Sequence, residues 1–159
     1  MRKAMVLVLA TALAGCGTVP LEGGSPRVRG DAAHMTYTVN TAFAGLTWKL
    51  ELDSASGAYK TTCTSLRGPA CSSGLPVRQG TLTRAQVVQL FGDAARTDFR
   101  GLLEVYDMSG TFVDGPGYTL DVVVAGTSKS IQWSDAARPL PVALSRVVDA
   151  FRTATGTAE

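Results

Sequence analysis

Tyr118-Thr119-Leu120-Asp121-Val122-Val123-Val124-Ala125-Gly126-Thr127-Ser128-Lys129-Ser130-Ile131-Gln132-Trp133 decides the fold class. Tyr118, Leu120, Val122 and Val124 recur with the period of two that marks a strand with one buried face. Gly126-Thr127 then supplies a two-residue hairpin turn with glycine where positive φ is required. This turn predicts Val122 opposite Ile131 and Leu120 opposite Trp133 on one face, with Asp121 opposite Gln132 on the other. A hairpin here means antiparallel sheet.

Upstream, Leu46, Trp48, Leu50 and Leu52 fall on one face while Thr47, Lys49, Glu51 and Asp53 fall on the other, again a half-buried strand. Met35, Tyr37 and Val39 alternate with Thr36, Thr38 and Asn40 in the same way. Ser54 to Gly57 makes a turn, residues 58–63 return as an antiparallel partner, and residues 76–81 add a further short strand. Thr83 and Gln86 form a Thr-x-x-Gln capping box, with Leu82 and Val87 placed as a hydrophobic staple, so a helix runs from there to about Ala95. Its inner face is Val87, Leu90, Phe91 and Ala94. Residues 97–106 predict another helical turn. Residues 107–117, with three Gly and one Pro, read as a loop. After the hairpin, Pro141 suits a first helical turn, Leu144, Val147, Val148 and Phe151 form a buried stripe, and Gly156 ends it. The order is β-rich, α, β-hairpin, α. It predicts an α+β domain whose antiparallel sheet carries two main helices packed on one face.

The N-terminus has a different logic. Met1-Arg2-Lys3 is followed by an apolar run from Ala4 to Ala12 and then Leu13-Ala14-Gly15-Cys16. The apolar run is far shorter than the roughly 20 residues needed to span a bilayer, and its cationic start is that of a secretory signal. Leu13-Ala14-Gly15-Cys16 resembles the lipobox of bacterial lipoproteins. The resemblance implies cleavage before Cys16, and fatty acyl chains such as palmitate on that cysteine. The expected organisation is a signal peptide at 1–15, the lipidated Cys16 and a flexible tether at 16–34, one α+β domain at 35–156 and a tail at 157–159. A Gly/Pro-rich tether of this length reaches about 20–25 Å. Gly17 stands where an Asp commonly retains lipoproteins in the inner membrane, so the resemblance implies the outer membrane, facing the periplasm, in a Gram-negative cell.

Removing residues 1–15 leaves 144 of 159, enough for one core. Arg2 and Lys3 account for the whole net charge of +2, because the remaining 13 basic residues equal the 13 acidic ones. A neutral domain without basic runs lacks the electrostatic footprint of a nucleic-acid binder. The membrane, through the N-terminal lipid, and an envelope protein or peptide are the expected partners. With Cys16 assigned to lipid, Cys63 and Cys71 remain, joined by a turn-rich segment and facing an oxidising compartment; a disulfide is expected. A zinc site wants about four ligands and is not supplied.

Gly80-Thr81-Leu82-Thr83, the following helix, Asp98-Phe99, Tyr106, Asp114-Gly115-Pro116-Gly117-Tyr118-Thr119-Leu120 and the Gly126 hairpin together resemble a bacterial family of secreted domains of unknown function. The similarity runs from about Gly80 to Gly156. It implies a fold, and no activity or ligand.

Catalytic signals are sparse. There is no Gly-x-Ser-x-Gly or Ser-x-x-Lys motif, and the single histidine, His34, is expected in or beside the tether, solvated. Asp107 and Asp114 flank one Gly-rich loop and are the candidate polar site, as carboxylates for acid/base work or as turn-forming side chains. The loop lacks the acidic run and terminal Glu of a calcium site. Gly115-Pro116-Gly117 leads into a strand, whereas a phosphate loop leads into a helix. Trp48, Tyr118 and Trp133 lie on apolar strand faces and are expected in the core. No metal or cofactor is expected. The chain is therefore expected to be a membrane-anchored cell-envelope lipoprotein acting by binding or assembly, with a periplasmic carboxylate-dependent hydrolase as the alternative.

Overall fold

The structure, a computed structural model, describes residues 33–41, 45–66, 71, 77–107 and 115–157. Among the described residues it is a mixed α and β fold of seven strands in one sheet and three helices. In chain order these are β1 (His34–Thr41), β2 (Leu46–Asp53), β3 (Ala58–Ser65), β4 (Gln79–Thr81), α1 (Arg84–Ala95), α2 (Thr97–Arg100), β5 (Val105–Tyr106), β6 (Pro116–Val124), β7 (Thr127–Ser134) and α3 (Val142–Ala154). A 3-10 turn, Asp135–Ala137, separates β7 from α3. The strand order across the sheet is β4-β3-β2-β1-β6-β7-β5.

The β6–β7 hairpin forms, with a register that differs from the expected one. Leu120 faces Ile131, Tyr118 faces Trp133 and Val122 faces Lys129, so the pairing is shifted by two residues. The cause is the turn, which is Ala125-Gly126 rather than Gly126-Thr127. Both central residues take positive φ, 50° at Ala125 and 71° at Gly126, the primed geometry that follows the twist of the flanking strands. Because the shift is even, every side chain keeps its face.

The helical turn expected within residues 97–106 forms as the four-residue α2. The chain then straightens into β5, which pairs in parallel with β7 through Val105 opposite Gln132 and Tyr106 opposite Trp133. All other pairings are antiparallel. His34 is not tether: it opens β1 opposite Asp53 on β2 and Val123 on β6. β3 extends to Ser65, and β4 spans only Gln79–Thr81.

Local chemistry accounts for the entry to α1. The Thr83 backbone N–H donates to Gln86 Oε1 at 2.9 Å, and the Gln86 N–H donates to Thr83 Oγ1 at 3.3 Å, a complete capping box. Just before it, the Leu82 N–H donates to the Gly57 carbonyl at 2.9 Å, tying the helix start to the β2–β3 turn. Gly57 has φ of +69°, and a Cβ there would stand 2.7 Å from the Leu82 carbonyl oxygen. Only glycine fits without a shift.

One core cluster joins Met35, Tyr37, Leu50, Leu52, Leu120, Val122, Ile131 and Trp133 of the sheet to Leu90, Phe91, Phe99, Leu144, Val147 and Phe151 of the helices. Each large apolar side chain buried this way contributes about 1.5–3 kcal/mol before chain entropy is counted.

Candidate binding cleft

Tyr37, Tyr118 and Trp133 come from three adjacent strands and share the face of the sheet that carries the core. Tyr118 and Trp133 are directly opposite in the register, and Tyr37 is diagonal to Tyr118. Their rings lie nearly parallel, with centroids 5.6 Å apart for Tyr118–Trp133, 6.1 Å for Tyr37–Trp133 and 6.3 Å for Tyr37–Tyr118. Offset stacking of this kind adds to area burial and stiffens the group. A cleft of about 520 Å³ opens beside the trio, closed on its other sides by Arg138, Pro139 and Leu140 and by Ser145, Val148, Asp149 and Arg152 of α3.

The polar groups there differ in how well they are matched. The Tyr118 hydroxyl donates to Asp135 Oδ1 at 2.9 Å, and Arg138 Nε lies 3.5 Å from the same oxygen. Burial, and then the bond to Asp135, push the Tyr118 hydroxyl above the usual tyrosine range. Burial pushes Tyr37 much further up, against the opposing pull of the Arg152 charge. Among the described residues the Tyr37 hydroxyl makes no hydrogen bond and Arg152 makes no ion pair. Arg152 Nε is buried without a partner, and its Nη2 reaches only the Thr157 carbonyl, at 3.4 Å. A half-buried guanidinium without a counter-charge is costly, and an acceptor that enters the cleft relieves that cost.

A larger groove, about 790 Å³, lies over β1 to β4 and is lined by His34, Thr36, Glu51, Asp53, Lys60 and Gln79 among others. Its charges are already matched. Lys49 Nζ stands 2.8 Å and Lys60 Nζ 3.6 Å from the Glu51 carboxylate, and the Lys49 hydrogen bond holds that carboxyl below its ordinary range. Asp53 Oδ1 accepts from the Ser56 hydroxyl at 2.7 Å and the Ser56 N–H at 2.8 Å, which holds its carboxyl down too. The smaller cleft is therefore the better candidate of the two, because it pairs concavity with a half-buried guanidinium that makes no ion pair among the described residues.

Cys63 and Cys71 are at disulfide distance, with Cα atoms 5.8 Å apart. Cys63 sits on β3 opposite Trp48, so the bridge ties the segment after β3 to the body of the sheet. Asp107 is exposed, with φ of 26°, and its backbone carbonyl accepts a hydrogen bond from the Ser134 hydroxyl. It lines neither cleft. Asp114 and Cys16 lie outside the described residues. Among the described residues no group of three or more His, Cys, Asp or Glu is placed to hold a metal, and no helix is long and apolar enough to cross a membrane.

Sequence reasoning placed Tyr37, Tyr118 and Trp133 on apolar strand faces but did not gather them, and it passed over Arg138 and Arg152. One signal was available: Arg152 follows Val148 at i+4 and so stands at the edge of the apolar stripe of α3. Neither a known protein-family model nor a curated protein matches this chain.

Proposed function

We propose that this protein is a lipid-anchored cell-envelope binding module. Cys16 carries the acyl anchor, residues 17–32 form the tether, and α1 and α3 cover one face of the antiparallel sheet while the cleft beside α3 takes the ligand. In a Gram-negative cell the address is the outer membrane, facing the periplasm. The observation that carries the binding role is Arg152: a half-buried guanidinium with no ion pair among the described residues, lining a cleft of ligand size. Binding is favoured over carboxylate-dependent hydrolysis because the cleft lining contributes one carboxylate, Asp149, where two are needed for paired acid/base work.

The test is thermal unfolding of the full exported chain with and without the small-molecule fraction of its own envelope extract. A ligand specific for the folded state raises the native Tm by mass action. Ser145→Trp, which fills the cleft from the α3 side, is expected to remove the shift. An equal shift in both proteins places binding elsewhere and sinks the cleft.

A further inference from the structure

We propose that the cleft takes a small monocarboxylate with an apolar body, the carboxylate held by Arg152 and the Tyr37 hydroxyl. The inference rests on the reading of this cleft as the binding site and adds the chemistry of its occupant.

Charge sets the sign and the size of the anion. The lining carries two guanidiniums, Arg138 and Arg152, against one carboxylate, Asp149. Just outside the lining, Asp135 occupies Arg138 at 3.5 Å. The four charges therefore sum to zero, but neither Arg152 nor the exposed Asp149 makes an ion pair among the described residues, so the half-buried Arg152 guanidinium stays unpaired. A monoanion neutralises it, whereas a phosphate dianion brings a second negative charge toward Asp149 and Asp135 with no cation to receive it. Arginine is also the side chain whose flat fork of donors matches a carboxylate through two parallel hydrogen bonds.

Donor chemistry points the same way. The Tyr37 hydroxyl has no hydrogen-bond partner among the described residues, and burial keeps it protonated well above the usual tyrosine range. It is thus a permanent neutral donor beside the Arg152 charge. Tyr118 is different, since its proton is committed to Asp135. Around these donors the lining is mixed: the aromatic trio with Pro139, Leu140 and Val148 offers apolar contact, and Arg138, Ser145 and Asp149 offer polar surface. A carboxylate with no apolar body leaves the apolar part wet, and an apolar molecule with no carboxylate leaves Arg152 unmatched.

The experiment is calorimetric titration of the full exported chain in lipid nanodiscs with benzoate, the neutral isostere benzamide and phenyl phosphate. Native protein and Arg152→Gln are compared, so partition of each probe into lipid cancels. Benzoate is expected to bind native protein at least tenfold more tightly than it binds Arg152→Gln, and at least tenfold more tightly than benzamide binds native protein. Tyr37→Phe should weaken benzoate several-fold and leave benzamide unchanged. Arg152→Lys, which keeps the charge and loses the fork, replaces Arg152→Gln if that variant does not fold, with the same direction expected. Benzamide binding as tightly as benzoate, indifferent to Arg152, overturns the carboxylate and leaves the cleft a binding site. Phenyl phosphate binding more tightly than benzoate overturns the monoanion. If none of the probes binds, both the carboxylate and the cleft fall.

Discussion

Arg146 of α3 donates through Nη2 to Asp98 Oδ2 of α2 at 2.9 Å, across 48 residues of sequence. Its Nε stands 3.6 Å from Asp93 Oδ1 near the end of α1, so one guanidinium ties the three helices together. Asp93 is the more sheltered partner, with 19% of its side chain exposed against 46% for Asp98, so solvent screens it less. Arg146→Met is expected to lower Tm by roughly 2–4 °C, the shift of about 1 kcal/mol in a chain of this size. Asp93→Asn should cost more than Asp98→Asn in the same thermal melts.

The same contact predicts a pH dependence. The hydrogen bond from Arg146, followed by its charge, holds the Asp98 carboxyl below its ordinary value. A depressed carboxyl contributes stability that is fully present above the unfolded-state pKa, about 3.9, and is lost as pH falls through the lower folded-state value. Native protein and Asp98→Asn should therefore differ in urea midpoint at neutral pH and converge as the pH is taken below 4. A difference that persists at low pH means that the Asn variant perturbs packing rather than charge.

The Ala125-Gly126 turn explains a limit on what sequence could show. Alanine carries no mark of positive φ, whereas Asn-Gly does, so the turn was expected one residue late and the register two residues off. The faces of β6 and β7 survived because alternation is indifferent to an even shift. β5 was illegible for another reason: two residues have no period, and only pairing with β7, about 27 residues further on, makes them a strand. α1 needed no such help, since the Thr83 and Gln86 side chains close their cap locally. The cleft was illegible because Tyr37, Tyr118, Trp133 and Arg152 meet only once β1, β6, β7 and α3 are in place.

Ala125→Asn is expected to stabilise the protein. Ala125 holds φ of 50°, a region that costs alanine about 1 kcal/mol and that Asn tolerates better. The gain should be about 0.5–1 kcal/mol in urea unfolding, with Ala125→Val moving the midpoint the other way because β-branching resists positive φ.

Cys63 and Cys71 are eight residues apart in sequence, so a bridge between them removes the closure entropy of a short loop from the unfolded chain. The expected loss in Cys71→Ser is about 2–3 kcal/mol, read as a lower urea midpoint, with Cys63→Ser giving the same value. Adding reductant to native protein should reproduce it. Non-reducing peptide mapping of exported protein should recover the two cysteines in one linked peptide, and two free thiols would refute the bridge.

The anchor is tested apart from the fold. Cys16 follows Leu13-Ala14-Gly15, and its proposed acylation adds about 0.8 kcal/mol of membrane affinity per buried methylene; a single chain holds only marginally, and stable attachment takes more than one. Metabolic labelling with a fatty acid should mark the native chain and leave Cys16→Ala unlabelled. Cys16→Ala should also keep its signal and leave the membrane fraction, while its urea midpoint, set by a domain that begins near β1, stays at the native value. Equal labelling of the two proteins would remove Cys16 as the anchor without touching the cleft, because none of the residues lining the cleft belongs to the tether.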